Sequence, residues 1–345
     1  MNRSARALRL AIAVAVLVVV PAAPAAAHVA GGPAPSNFSG VITSIRAPMS
    51  GVQVSLSPSG DQIEIRNDSA ADVLVPGYSD EPYLWIGPSG VQRNERSPAT
   101  YLNATAEGTT VLPPQADPGA DPDWVTLSTA PMLGWHDHRT HWMGTDLPPA
   151  VQADPTRVHL ISSWEVPLSF DGEPVVISGT LTWTPPPSSL PWTVLAVALF
   201  ALAVGVAGRE RWRRPMLVLL VVLVTVDGLH LAISSLAGES SAFTITAGSL
   251  PTAVALLLTW ASWRSVKAGT TTVAYTGGIA AWLVCIQSLS DLDVLWHSQL
   301  PSAAPGWLTR AAVTVGVGLG AGLALGCLRV LARSRGTTQA EPAAL

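Results

Sequence analysis

The chain has 345 residues, of which 48% are hydrophobic and only 12% are charged. Soluble globular proteins carry about a quarter charged residues, so this composition indicates membrane segments. The formal net charge of −4 argues against an electrostatically bound nucleic acid as a partner. The length is sufficient for two domains of ordinary size.

The N-terminus has the organisation of a secretory signal peptide: an arginine-bearing segment, an apolar run and a motif of small residues. Cleavage after Ala25-Ala26-Ala27 would remove residues 1–27 and leave His28 as the first residue of the mature chain. This segment therefore predicts export of the domain that follows it.

Residues 28–183 show the short alternating stretches of β-strands rather than helical periodicity. GVQVSLSPSGDQIEIRN (51–67) predicts one hairpin, and Asp171-Gly172 predicts the turn of another. The polar, turn-rich stretch 81–103 predicts a long loop. Seven to nine short strands favour an all-β extracytoplasmic domain, an antiparallel sandwich of immunoglobulin-like type.

A Pro-rich connector (184–190) leads into an all-α membrane domain (191–330). Five apolar stretches there each approach the ~20 residues that a bilayer core requires. They cover 190–207, 215–236, 245–263, 270–289 and 307–330. The sequence thus predicts a five-helix transmembrane bundle in contact with the lipid bilayer.

The loops between these stretches indicate an orientation. Most of the positive charge in this half lies in RERWRR (209–214), WRSVK (263–267) and RVLARSR (329–335), whereas the alternate loops carry acids without Lys or Arg. The positive-inside rule places the first group in the cytoplasm. We therefore expect a multi-pass protein of the cell membrane, with the β domain outside and residues 331–345 as a cytoplasmic tail.

Three histidines, His136, His138 and His141, lie close together in GWHDHRTHWMG (134–144). Imidazole nitrogen is a favoured ligand of copper and zinc. In a strand His136 and His138 would share a face, whereas a helical turn would bring His138 and His141 together. Both arrangements supply two nitrogens, and both remain open.

A mature N-terminal His28 would add a different kind of ligand. Its α-amino nitrogen and its ring nitrogen can chelate one metal ion, and a second histidine would complete a T-shaped set of three nitrogens. That geometry suits Cu(II), which lies at the top of the Irving–Williams order. The predicted metal ligands are thus His28, His136, His138 and His141, with copper as the ion.

The membrane half contains ionisable residues, which are costly in lipid and so are functional candidates. Asp227 and His230 share one helix face in the second stretch, and Asp291 and His297 follow the fourth stretch at a similar depth. These four residues predict a pocket that receives a metal ion or relays protons. The alternative is a hydrogen-bond cluster that ties the helices together.

The start AAA-HVAGGP, the secreted β domain and SSWEVPLSFDGEPVVISGTLTW (162–183) resemble the CopC-like and YcnI-like copper proteins. Domains of that kind expose an N-terminal histidine to Cu(II), and in some bacteria one is joined to a CopD-like membrane portion implicated in copper uptake. The resemblance implies that His28 is a ligand. The chain also resembles an actinobacterial membrane-protein group with the same HDHRTHWM stretch, and that resemblance implies no activity.

The favoured function is a membrane-anchored extracytoplasmic copper-binding protein for copper capture, delivery or uptake. The alternative is an envelope interaction or assembly module that binds another envelope protein and no metal, with its histidines holding a loop. A copper-dependent oxidase or oxygenase is a third possibility. No enzyme activity is predicted, because the sequence has no G-x-S-x-G motif, paired carboxylates or Cys/His nucleophile pattern.

Overall fold

The computed structural model describes residues 35–57, 60–104, 111–235, 242–267, 269–300 and 302–339. The predicted signal peptide and His28 lie outside these residues, as does part of the first predicted hairpin turn. The chain forms two compact units. One contains residues 35–186 together with 297–300, and the other contains the long helices.

Among its described residues, the first unit contains ten strands in two sheets, all of whose pairings are antiparallel. The strands are β1 (Phe38–Arg46), β2 (Val52–Leu56), β3 (Gln62–Asn67), β4 (Val73–Pro76), β5 (Pro82–Gly87), β6 (Gly90–Asn94), β7 (Trp124–Ser128), β8 (Met132–His136), β9 (His159–Phe170) and β10 (Glu173–Trp183). The larger sheet has the order β1-β10-β9-β4-β5-β6-β7, and the smaller has the order β2-β3-β8.

Both predicted hairpins form. β2 pairs with β3, and β9 pairs with β10 along almost its whole length. Asp171 and Gly172, with φ of 53° and 79°, connect β9 to β10. Positive φ at both residues of a two-residue loop is the type I′ geometry, which matches the twist of the flanking strands and explains why Asp-Gly predicts this turn.

The stretch 81–103 is not the long loop that its polarity predicts. It contains β5, β6 and a short helix, α1 (Pro98–Leu102). The Ser97 hydroxyl accepts a hydrogen bond from the Ala99 backbone N–H, and proline occupies the first turn, so SPA is a local helix start. A second short helix, α2 (Pro149–Ala153), also precedes β9.

One hydrophobic cluster contains side chains from both sheets. Ile63, Ile65 and Trp135 come from the smaller sheet, and residues such as Val166 and Ile177 come from the larger. The alternation of side chains along β3 explains which of them are buried. Ile63 and Ile65 lie on the buried face, and Gln62, Glu64 and Arg66 lie on the opposite face. Burial of these apolar faces is what holds the strands together.

The second unit is helical. Its helices are α3 (Leu190–Ala207), α4 (Arg213–Ser235), α5 (Ala242–Arg264), α6 (Thr270–Ser290) and α7 (Gly306–Gln339), with a short 3₁₀ helix at Leu292–Leu295. Within the described part of the chain, α3, α4, α6 and residues 306–334 of α7 are long and apolar enough to cross a membrane. Four of the five predicted stretches therefore correspond to candidate spans. The remaining stretch, 245–263, lies within α5.

Several glycines of α7 lie against neighbouring helices. A β-carbon on Gly318 or Gly322 would lie 2.6 or 2.7 Å from the backbone carbonyl of Ala196 or Phe200 on α3. Gly320 similarly faces the backbone of α6 at Ala281. Glycine lets these helix backbones approach closely. Helices in lipid gain no hydrophobic stabilisation from association, so this close packing is one of the interactions that holds them together.

We predict that Gly179→Ala destabilises the β region. Gly179 is the register partner of buried Trp164, and an added β-carbon would lie well inside van der Waals contact of the indole ring. Overpacking of this kind costs about 1–3 kcal/mol. A lower unfolding midpoint of the full chain, followed by tryptophan fluorescence, would show it.

Gly134→Ala is the matched control. Gly134 is an exposed glycine in β8, and the nearest atom to an added β-carbon is 3.9 Å away. An equal loss of stability in both variants would mean that the Trp164 contact is not the cause.

Candidate functional site

The three clustered histidines lie where β8 ends in a turn. His136 is the last residue of β8, and residues 138–140 form the turn. Thr140 fixes this turn, because its backbone N–H donates to the Asp137 carbonyl at 3.0 Å and its hydroxyl donates to the Gly60 carbonyl at 2.7 Å. The second bond ties the histidine turn to the chain just before β3.

This turn places the His141 ring beside both of the others. The ring centroids of His141 and His136 are 6.2 Å apart, and those of His141 and His138 are 5.4 Å apart. The sequence left a strand pairing and a turn pairing open. The structure has the turn pairing of His138 with His141 and adds His136 to it.

His141 has an unusual environment. Both of its ring nitrogens are buried, and neither has a hydrogen-bond partner among the residues described. Burial lowers the pKa of His141 from its ordinary value of 6.5, the His138 and His136 rings add to this effect, and the Asp61 carboxylate opposes it. The ring is therefore neutral at neutral pH and has a lone pair available to a ligand.

His136 is oriented by two contacts from β3 and the residue before it. Its Nδ1 lies 3.0 Å from the Asp61 carbonyl oxygen, and its Nε2 lies 3.3 Å from the amide nitrogen of Gln62, its register partner. A carbonyl oxygen can only accept, so Nδ1 donates and Nε2 carries the lone pair. Metal-binding histidines usually donate their second nitrogen to a carbonyl or carboxylate in this way.

Asp137 and Arg139 form a buried ion pair inside the histidine turn. Two Arg139 nitrogens donate to the two Asp137 carboxylate oxygens at 2.7 and 2.6 Å, and the Trp135 indole N–H donates to the same carboxylate at 3.1 Å. The Asp137 side chain is 0% exposed. This pair was not among the predicted site residues, although the strand parity of Trp135 and Asp137 was a signal that both side chains point inward.

Tyr78 links the turn to α1. Its hydroxyl accepts a hydrogen bond from the His138 backbone N–H at 3.0 Å and donates to the Asn103 side chain. The Arg139 guanidinium lies 5.2 Å from its ring centroid. Burial, together with the charge of Asp137, raises the pKa of Tyr78, so the phenol keeps its proton and its donor role.

The histidine spacing can be compared with what a metal ion requires. An ion about 2.0–2.1 Å from each nitrogen would hold two imidazole centres roughly 4.5 to 6.5 Å apart. The separations of 5.4 and 6.2 Å fall in that range. Across the described ranges, however, no group of three or more His, Cys, Asp or Glu side chains is arranged to hold a metal. The turn therefore supplies neighbouring imidazole rings, and a complete ligand set would need a further donor.

The four predicted residues of the membrane half do not form one group. His230 Nε2 lies 3.6 Å from an Asp291 carboxylate oxygen, and Asp227 is buried on the same helix as His230. Thr252 donates to Asp227 at 2.7 Å, and it is a partner that the sequence alone did not indicate. His297 belongs to the compact unit that contains the strands.

Comparisons of the chain with protein-family models, with curated proteins and with solved structures give no match.

We predict that Asp137→Asn destabilises the β region by about 3 kcal/mol. Removal of one partner from a buried ion pair costs about 3–5 kcal/mol, and the Arg139 side chain retains 19% exposure, which reduces the penalty. Denaturant-induced unfolding of the full chain, followed by tryptophan fluorescence, would measure the loss.

A double-mutant cycle with Arg139→Leu provides the control. The loss in the double variant should be smaller than the sum of the single losses, because neither charge is then left alone. Additive losses would contradict a direct interaction between the two side chains.

Proposed function

We propose that this chain is a multi-pass protein of the cell membrane whose extracytoplasmic β domain binds copper for capture, delivery or uptake. The observation that carries the proposal is the buried His141 ring, which has no hydrogen-bond partner for either nitrogen among the described residues and lies beside two other imidazoles. A signal peptide over residues 1–27 would export the domain and leave His28 at its start.

The energetic argument concerns His141. A buried polar group without a partner costs about 1–3 kcal/mol. Metal coordination would use one of the two nitrogens and offset much of that cost. The lowered pKa of His141 supports the same role, because a neutral imidazole is the form that binds metal.

His136 supports a shared site. Its Nδ1 donates to the Asp61 carbonyl, which leaves Nε2 as the coordinating atom once the 3.3 Å contact with Gln62 is released. That contact is longer than a strong hydrogen bond and involves two neutral groups, so a metal ion competes with it at small cost. The ring of His138, whose backbone N–H donates to the Tyr78 hydroxyl, also lies beside His141.

Copper is the favoured ion because of the ligands that the mature chain would offer. Two or three imidazoles together with the α-amino and ring nitrogens of His28 make an all-nitrogen set, which favours Cu(II) over the other divalent ions. The described histidines do not close a site by themselves. A donor from the processed N-terminus fits that requirement.

The fold that we propose for the β domain is the immunoglobulin-like sandwich. Two antiparallel sheets contribute to a single hydrophobic cluster, and buried Trp135 and Trp164 come from different sheets. Inward-facing residues that alternate with outward-facing ones on both sheets are typical of such sandwiches.

A parity argument supports α5 as a fifth span. Thr184 precedes α3, and Ser298 follows α6, yet the Ser298 hydroxyl donates to the Thr184 carbonyl at 3.1 Å. Both residues must therefore lie on one side of a membrane. Three crossings by α3, α4 and α6 would separate them, whereas a fourth crossing by α5 returns the chain to the same side. The arginine-rich loops are then all cytoplasmic, in agreement with the positive-inside rule.

One observation favours a second candidate function, an envelope interaction or assembly module without metal. Both His136 nitrogens already have contacts, which link β8 to β3 and to Asp61. In that case the histidines hold the turn in place for a protein partner. Metal titration separates the two functions.

We predict that His141→Gln weakens Cu(II) binding to the mature full-length protein at least about 100-fold. Loss of a direct ligand should exceed the roughly 10–100-fold loss typical of an outer-shell partner. Electron paramagnetic resonance during Cu(II) titration would detect the change in nitrogen coordination. One extra residue placed before His28 should remove the chelate of the chain end and change the same spectrum.

His159→Gln is the matched control, because its ring nitrogen bonds the Asp154 carbonyl at 2.7 Å and it lies at the start of β9. Copper binding should be unchanged in this variant. Wild-type protein that takes up no Cu(II) at micromolar concentration would leave the assembly module as the function.

We predict a specific pattern of thiol labelling for the loops. Single cysteines are introduced into a variant in which the two native cysteines are replaced. In right-side-out vesicles, a membrane-impermeant thiol reagent should label Ser302→Cys but not Ser265→Cys. These positions follow α6 and α5, respectively, so the pattern tests whether α5 crosses.

Two further positions serve as controls. Ser188→Cys, before α3, should be labelled, and Glu210→Cys, after α3, should be labelled only once the vesicles are permeabilised. The reverse pattern at Ser265 and Ser302 would show that α5 does not cross the membrane.

A further inference from the structure

Three helices of the membrane half share a line of polar side chains, two of them buried and one half-buried. The Gln287 amide of α6 donates to the Thr252 hydroxyl of α5 at 3.2 Å, and that hydroxyl donates to the Asp227 carboxylate of α4 at 2.7 Å. Asp227 is 6% exposed and Thr252 is 4% exposed. The line therefore ends in a buried carboxylate.

A second pair lies toward the ends of the same helices. His230 is one turn after Asp227 on α4, and its Nε2 lies 3.6 Å from a carboxylate oxygen of Asp291, the residue that caps α6. Asp291 is also four residues after Gln287. The pair therefore lies at the level where α6 ends, and Asp227 lies one helical turn before His230 on α4, about 4.5 Å along its axis.

The partner of Asp227 decides what this carboxylate can do. A neutral hydroxyl donates to it, and its hydrogen bonds with the described residues involve Oδ2 only. Protonation at Oδ1 would thus break no salt bridge. Among those residues, the ionisable groups whose charges act on Asp227 are His230 and Asp291, while Thr252 on α5 and Gln287 on α6 are neutral.

We infer that Asp227 is a proton-binding site inside the membrane, which exchanges protons with water through His230 and Asp291. In the loading step a His230 imidazolium transfers its proton to the Asp227 carboxylate, which becomes a carboxylic acid. A hydronium ion from the aqueous phase at the end of α6 then protonates the neutral imidazole and leaves as water, and Asp291 stabilises the imidazolium. No net redox change accompanies these transfers.

The geometry distinguishes this site from a structural cluster. A cluster that only ties helices together needs Asp227, Thr252 and Gln287, which already connect the three helices. It has no need of a histidine and a carboxylate one turn away, at the level where α6 ends. Ionisable groups placed in series inside a membrane are the arrangement of proton relays.

This inference rests on the membrane-embedded helices of the proposed function but not on copper binding. Failure of copper binding would leave it untouched, and thiol labelling tests the spans separately. The experiment below is therefore interpretable by itself.

The test uses the full-length protein reconstituted in lipid vesicles. Infrared difference spectra between about pH 5 and about pH 9 should contain the carbonyl band of a carboxylic acid that gains and loses its proton. Asp227→Asn should remove this band, because the amide keeps an acceptor for Thr252 but cannot be protonated. Glu210→Gln, which changes an exposed carboxylate after α3, should leave it in place.

Two more variants control for misfolding and test the route of proton transfer. Asp227→Glu retains a carboxyl group and should shift the band rather than remove it. After a pH jump, His230→Gln should slow the appearance of the band at least about tenfold, since a positioned acid–base group accelerates proton transfer by about 10²–10⁴-fold.

A wild-type protein without any band that depends on Asp227 would overturn the proposal, because the carboxyl group would then keep one protonation state throughout. An unchanged rate in His230→Gln would remove His230 from the route and would overturn the relay as stated here.

Discussion

The histidine turn depends on one buried ion pair. Asp137 has no exposed surface, and its two carboxylate oxygens receive Arg139, the Trp135 indole and the Arg139 backbone N–H. A carboxylate so placed is stable only because every oxygen is compensated. Since Asp137 lies between His136 and His138 and Arg139 lies between His138 and His141, the same bonds that satisfy the charges also set the direction in which the chain leaves β8. The three imidazoles come together as a consequence.

In the helical half, the bilayer is the corresponding constraint. Apolar helices gain no hydrophobic stabilisation from one another in lipid, so close backbone approach and polar contacts must hold them. α7 supplies the first through Gly318 and Gly322 against α3. Asp227, Thr252 and Gln287 supply the second across α4, α5 and α6. In the proposed function, the same polar contacts that join helices also place a titratable group away from water.

Much of the fold could be predicted from the sequence because it depends on local patterns. The alternation of apolar and polar residues predicted the paired strands, and Asp171-Gly172 predicted the tight turn. The length of the apolar stretches predicted four helices that the structure has at the expected ranges. The short helix α1 was missed because polarity was taken as evidence for a loop, whereas Ser97 and Pro98 were a helix start.

The site was less predictable, since its contacts join residues far apart in sequence. The clustering of the histidines was visible from their spacing, but their partners were not. The pairing of β3 with β8 brings Asp61 and Gln62 to the turn, and Tyr78 bonds both the turn and Asn103, the residue after α1. In the same way, no spacing rule relates Asp227 to Thr252, because Thr252 lies on another helix. The prediction also grouped His297 with the helices, although it belongs to the unit that contains the strands.

The bond between Ser298 and Asn37 has a consequence for biosynthesis. The Ser298 backbone N–H donates to the Asn37 side chain across a separation of 261 residues, and Gln299 pairs with Ser36 beside it. A ribosome delivers Asn37 long before Ser298. The contacts of Ser36 and Asn37 with Gln299 and Ser298 can therefore form only once nearly the whole chain has been translated, so the segment before β1 gains these partners late in synthesis.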